Sequence, residues 1–199
     1  QLVALTAMEP PVQFNADLFR NEVVKVYQSF RPMSDEEIRR RVIRGQYTES
    51  EWKGEHHRAY REEDKIPHDS RTETFLAMKL YIDNWRWQGV PFYIRTGKMM
   101  PTKVTEIVVH FKPTPHKMFT TIDGGAVPNQ LVIRIQPDEG ISLKFAAKVP
   151  GSGFEVKKVA MNFTYDQLGG LASGDAYSRL LEDCMLGDST LFTRSDAVE

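Results

Sequence analysis

The spacing of apolar positions changes character twice along the chain. After Asn15, "ADLFRNEVVKVYQSF" places Leu18, Val23, Val24 and Tyr27 near the spacing of one helix face. Asn15 stands where a helix cap belongs, and the helix must end before Pro32. "SDEE" at 34–37 has the form of a capping box, so a short second helix is predicted to start there and run to about Arg41. "VIRGQY", 42–47, reads as extended. Residues 48–70 are polar and contain Gly54, His56, His57 and Pro67, which predicts a long surface loop. Loops of that length are often functional or mobile.

From Thr72 the period falls to two. "TFLAMKLYID", "VPFYIR", "KVTEIVVHFK", "QLVIRIQP", "ISLKFAAKV" and "FEVKKVAMNFTY" are six strand-like runs, rich in β-branched and aromatic residues. No helical pattern separates them, so the sheet should be largely antiparallel. "PDEG" at 137–140 has tight-turn chemistry, whereas residues 112–129 are too long for a hairpin and read as an exposed excursion. After Gly174 the helical period returns: Tyr177, Leu180, Leu181, Cys184 and Met185 share a face, and Gly187 suits the helix end. The order predicts an α+β fold, an antiparallel sheet with helices over one face, treated as one domain over residues 1–199. "QLVALTAMEPP" reads as the last turns of a buried helix. "TRSDAVE" reads as the first turn of another, with Ser195 as its cap. Both ends are expected to continue into a longer protein.

Composition narrows the function classes. Hydrophobic residues make up 41% and charged residues 27% of 199, enough for a substantial core. A formal charge of −1 gives no field favouring nucleic acid or an anionic membrane, and neither is expected as a partner. Nothing approaches the roughly 18 apolar residues that a helix needs to cross a bilayer. Cys184 is the single cysteine, which excludes an intrachain disulfide and points to a reducing, cytoplasmic compartment.

Candidate chemistry is sparse. The single-glycine "RTGK" leads into a strand, and there is no G-x-G-x-x-G or P-loop, so no Rossmann phosphate site is expected. The five histidines His56, His57, His68, His110 and His116 form no zinc pattern. "EHH" at 55–57 is predicted as solvated loop and His110 as a sheet-surface residue. Cys184, on an apolar helix face, is predicted to be a small buried hydrophobe. Trp85 and Trp87 are predicted to anchor the hairpin behind them. "FYIRTGKMMPTK", 92–103, is the exception, gathering Arg95, Lys98 and Lys103 around one turn. Gly97 is expected to supply a positive φ and Pro101 to stiffen the exit. Two ammonium groups there fit a phosphate dianion, but on spacing alone a plain solvated turn is the better reading. Leu131, Ile133 and Ile135 opposite Val132 and Arg134 imply a sheet covered on both faces, one by helices and the other by a second subunit or further chain.

Several segments resemble the C-terminal domain of the glucose-6-phosphate dehydrogenase family: "AMEPP", "RGQYTES", "TETFLAMKLYIDNW", "NWRWQGVPFYIRTGKMMPTK", "LVIRIQPDEGISLK" and "DAYSRLLEDCMLGDSTLFTRSDAVE". The resemblance implies oxidation of glucose 6-phosphate to 6-phosphogluconolactone with hydride transfer to NADP, or NAD in some members. It implies a β+α domain whose large sheet forms a dimer interface, in a dimer or tetramer, beside a Rossmann domain absent from this chain. Lys98 and Lys103 match the family's substrate-binding lysines, which reverses the balance toward an anion clamp. Arg95 and Arg134 match positions that in animal members help bind a second, structural NADP, although "AAKVPG" departs from the animal pattern. The family's catalytic histidine lies in a Q-N-H segment that would fall upstream of Gln1, and its R-I-D-H-Y-L-G-K motif lies further upstream. None of the histidines present takes that role. The competing expectation is a non-catalytic module, a sheet-based dimerisation or phosphosugar-binding regulatory domain on a borrowed fold.

Overall fold

The computed structural model describes residues 1–113, 120–121, 128–151, 153–165 and 176–198. The chain divides into two compact units, Gln1–Met100 with Gly174–Glu199, and Pro101–Ser173. It is an α+β protein, and its predicted runs fall into separate sheets rather than one.

The first unit holds helices α1 (Leu2–Ala7), α2 (Ala16–Gln28) and α3 (Asp35–Arg41), strands β1 (Val42–Gly45), β2 (Ser50–Trp52), β3 (Glu55–His57), β4 (Phe75–Tyr81) and β5 (Pro91–Gly97), and helix α4 (Ala176–Leu186). Both predicted caps form. The Asn15 side chain accepts from the Leu18 amide at 2.9 Å. Ser34 and Glu37 bond reciprocally in a capping box. Strands β1, β4 and β5 make an antiparallel sheet in the order β1-β4-β5. Alternation along β4 decides its faces. Met78 and Leu80, with Ile82 beyond, turn toward Ala4 and Ala7 of α1 and Val26 of α2, and this cluster is the core. Each fully buried aliphatic side chain there contributes roughly 1.5–3 kcal/mol. The end of α2 joins the end of β4 directly: the Arg31 amide donates to Tyr81 O (3.0 Å) and the Asp83 amide to Ser29 O (2.8 Å).

Several expectations need correction in this unit. Residues 48–70 are not a plain loop, because β2 and β3 pair in register Ser50↔His57 across a two-residue turn. Lys53 (φ 54°) and Gly54 (φ 82°) both take the left-handed conformation that such a turn demands. Strands of three residues are too short to show a period, so the composition hid them. Trp87 is an anchor, donating from Nε1 to Ala7 O at 2.9 Å and meeting Phe92 edge-on, but Trp85 is fully exposed. Cys184 is exposed rather than buried, and so are Leu181, Met185 and Leu186 on the same helix. A helical period defines an apolar face; it does not supply the surface that covers it. Ser195 is the first residue of a 3-10 turn, Ser195–Ala197, and not its cap.

The second unit holds β6 (Thr105–His110), β7 (Thr120–Thr121), β8 (Gln130–Gln136), β9 (Gly140–Lys148) and β10 (Glu155–Thr164). They form one sheet in the order β6-β8-β9-β10-β7, antiparallel except for the parallel β7–β10 pair. Thr120–Thr121 is the described strand within the predicted excursion; 114–119 and 122–127 lie outside the described residues. Register puts Ile107, Ile133, Ile141 and Phe163 on one face, with Leu143 and Met161 beside them. The other face carries Glu106, His110, Gln130, Arg134 and Lys144, with Val132 and Ser142 buried among them.

Candidate functional site

Strand β5 ends at Gly97 and delivers Lys98 into the turn. Gly97 is not the left-handed residue there; Met99 is, with φ 51°. Gly97 answers a packing demand instead. A Cβ on it would lie 3.0 Å from Phe75 Cδ2, 3.1 Å from Met100 Sδ and 3.3 Å from Thr74 O. The closeness follows from the ladder, in which Phe75 pairs with Gly97.

Behind Lys98 stands Thr74, a polar residue only 9% exposed. Its carbonyl accepts from the Lys98 amide at 2.8 Å, and its own amide donates to Gly45 O at 2.9 Å. Its hydroxyl oxygen accepts from the Tyr47 amide, also at 2.9 Å. Gln46 holds the preceding residues, with Nε2 donating to Ser70 O and Thr72 O at 2.9 Å each, while its Oε1 accepts from Arg61 Nε. A groove of about 500 Å³ opens at this point, lined by Arg44, Glu73, Thr74, Phe75, Leu76, Thr96, Gly97 and Lys98. Arg44 Nη1 meets Glu73 Oε1 at 2.6 Å across it. Lys98 is exposed at the groove, where an ammonium group is open to an anionic ligand.

Lys103 lies in the other unit, exposed two residues before β6. The two lysines thus belong to different units, and each is placed within its own. Arg95 is exposed on β5, on the sheet face away from the core. Lys79 and Tyr93 form the next pair but one along that face. Lys79 lies over the rings of Tyr81 and Tyr93, at 5.3 and 5.5 Å. Hydrogen bonding to Lys79 lowers the Tyr81 hydroxyl pKa from its ordinary value, and bonds to Tyr81 and Tyr93 raise that of Lys79. Arg134 sits on β8 opposite Glu106.

Three of the described histidines make polar contacts at the surface. His56 Nε2 contacts Glu49 Oε1 at 2.6 Å, His68 Nδ1 the Arg61 carbonyl at 3.1 Å, and His110 Nδ1 Gln130 Nε2 at 3.0 Å on the exposed side of β6. His116 lies outside the described residues. No group of three His, Cys, Asp or Glu among the described residues could hold a metal ion. Likewise, no helix among them is long and apolar enough to cross a membrane.

Sequence reasoning singled out Lys98 and Lys103 but not Thr74, Arg44 and Glu73, which line the groove with Lys98. The signal was present in "RGQYTES" and "TETFL", yet only the pairing of β1 with β4 and β4 with β5 brings the two segments to Lys98.

Comparison with known proteins gives a consistent answer. The profile of "Glucose-6-phosphate dehydrogenase, C-terminal domain" matches residues 1–199. A glucose-6-phosphate 1-dehydrogenase of Aggregatibacter actinomycetemcomitans is 52% identical over 198 residues, covering 100% of this chain and 40% of that protein. The Bacillus subtilis enzyme of the same name is 46% identical over 198 residues, with the same coverage. A solved glucose-6-phosphate dehydrogenase in complex with its substrate glucose-6-phosphate superposes with a TM-score of 0.82 at 34% identity, over 99% of this chain and 39% of that one. The Mycobacterium avium enzyme superposes at 0.76, covering 100% of this chain. The chain spans about 40% of the length of these relatives, and it belongs to the glucose-6-phosphate dehydrogenase family as its C-terminal domain.

Proposed function

We propose that the full-length protein carrying this chain is a glucose-6-phosphate 1-dehydrogenase. It would oxidise glucose 6-phosphate at C1 to the 6-phosphogluconolactone, and this chain would supply part of the sugar-phosphate site. The observation that carries the reading is Lys98, exposed and lining a groove of about 500 Å³, in a chain whose solved relative was obtained with that substrate.

Lys98 and Lys103 give charge-assisted contacts to the phosphate. Binding energy gained there, far from C1, is used to hold the reacting carbon in position. A nicotinamide coenzyme, NADP by family resemblance, accepts the hydride when bound. No strand–glycine loop–helix among the described residues fits it, so the coenzyme and the general base are assigned to the portion of the protein that the relatives have beyond this chain.

For a second, structural nucleotide the residues fit unequally. Arg95 shares its face with Lys79 and the rings of Tyr81 and Tyr93, a donor set suited to a phosphate and a planar group. Arg134 stands opposite the Glu106 carboxylate, which opposes an anion. The apolar face of the second-unit sheet is the surface through which we place self-association into a dimer or tetramer.

The test compares the 199-residue chain with the full-length protein, following nicotinamide reduction with glucose 6-phosphate and NADP. Turnover by the full-length form alone supports the reading. In that form Lys98→Ala should raise KM for glucose 6-phosphate at least about tenfold, the scale of one lost charge-assisted contact. An unchanged KM removes Lys98 from the site.

A further inference from the structure

The "RGQYTES" segment has no part in the chemistry described so far, yet it ends against the residue that holds Lys98. Three hydrogen bonds converge on Thr74: its amide donates to Gly45 O, its hydroxyl oxygen accepts from the Tyr47 amide, and its carbonyl accepts from the Lys98 amide. Thr74 is nearly buried and its bond to the Tyr47 amide is part-buried, so its polar atoms are costly to leave unpaired. Gly97, next to Lys98, packs so closely on Phe75 and Thr74 O that the turn has little room to drift on that side. Gln46 adds two further bonds that fix the chain at Ser70 and Thr72, just ahead of Thr74.

We infer that Thr74 is a positioning residue: it fixes where β5 releases Lys98, and through it the Gly45–Tyr47 segment sets the placement of the ammonium group for the substrate phosphate. The inference rests on the reading of Lys98 as a substrate ligand. In this inference Thr74 acts through Lys98 rather than on the substrate itself. Its side chain is a hydroxyl acceptor, not a charge; Thr74 and Lys98 both line the groove, and Thr74 is nearly buried while Lys98 is exposed. A threonine is suited to the task because its hydroxyl oxygen can accept from the Tyr47 amide. Valine keeps the shape and removes the acceptor. Serine keeps the acceptor.

The experiment is steady-state kinetics of the full-length enzyme with glucose 6-phosphate and NADP, on Thr74→Val, Thr74→Ser, Lys98→Ala and the double variant Thr74→Val/Lys98→Ala. Thr74→Val is expected to raise KM for glucose 6-phosphate about five- to tenfold with kcat within about twofold, the effect of a displaced contact remote from C1. Thr74→Ser should stay within about twofold of the parent in both. In the Lys98→Ala background, Thr74→Val should raise KM no further, because its effect passes through the missing ammonium group. A purely structural role would raise KM equally in both backgrounds, and that result overturns the inference. So does a Thr74→Ser variant as impaired as Thr74→Val. If Lys98→Ala leaves KM unchanged, the substrate reading itself falls, and this inference with it. If Thr74→Val does not fold, Gln46→Leu replaces it, because it frees the Ser70–Thr72 segment without touching Thr74; the same KM rise, again masked by Lys98→Ala, is expected, and an unmasked rise overturns the inference.

Discussion

At the scale of single residues, two glycines show that one residue type answers different physical demands. Gly140 opens β9, and a Cβ there would lie 2.5 Å from the Phe163 carbonyl oxygen of the neighbouring strand. That oxygen belongs to the backbone of the ladder and cannot move alone. Gly140→Ala is therefore expected to cost about 2 kcal/mol or more, read as a lower urea midpoint with an unchanged slope. At Gly97 the nearest atoms are the ends of the Phe75 and Met100 side chains, which can swing aside. Gly97→Ala should cost less than Gly140→Ala while raising KM for glucose 6-phosphate more. Equal stability losses with no kinetic difference would contradict the packing argument. The reason for glycine at 97 was misread from the sequence, because a turn of this kind usually asks glycine for a positive φ. Here Met99 takes the positive φ, and the glycine answers strand proximity that no local pattern reveals.

At the scale of elements, the first unit is held together where its helices end. Arg31, just past α2, grips Asp83, just past β4, through a two-pronged pair: Nε to Oδ2 at 2.8 Å and Nη2 to Oδ1 at 2.6 Å. Arg86 grips Glu9 in the same way, at 2.6 Å on both arms, and so ties the β4–β5 connection to the end of α1. The Arg31 hydrogen bond holds the Asp83 carboxyl below its ordinary pKa. A depressed folded-state pKa means that this contribution to stability is complete above the ordinary aspartate value and is lost as pH falls through the depressed one. The melting temperature of Asp83→Asn should thus lie below the parent's at neutral pH. The gap should narrow as pH drops beneath the ordinary aspartate range. A gap that is constant down to strong acid would show that the pair is not the source. Both groups are exposed, so added salt should shrink the gap as well. Helix caps and strand periods were legible in the sequence here: Asn15, Ser34 with Glu37, and the Met78–Leu80–Ile82 alternation each carry a local physical signature. These interlocking ion pairs were not, because Arg31 and Asp83 are 52 residues apart.

At the scale of the whole molecule, the second-unit sheet presents one strongly apolar face. Met161 is 64% exposed on it, and Ile141 and Val159 are 38% exposed. Such a surface is unfavourable in water unless covered. Under the proposed self-association, Met161→Glu in the full-length protein should shift its sedimentation toward the monomer, because it puts a charge beside Leu143 on the apolar face. Lys158→Glu, on the opposite face, is the control and should leave the assembly intact. An undisturbed assembly with Met161→Glu would remove this face from the interface. The sequence by itself determined helices α2 and α3 and the longer strands, though not β2 and β3, because helix caps, apolar period and turn chemistry act over a few residues. It placed β4 to β6 and β8 to β10 where they are, and it drew attention to Lys98. Only the tertiary structure decided which strands share a sheet, that Thr74 stands behind Lys98, that Gly97 serves packing, and that the α4 apolar face and Cys184 are exposed. Those outcomes depend on pairings between residues far apart in the chain, and a pairing between distant segments leaves no periodic trace in either one.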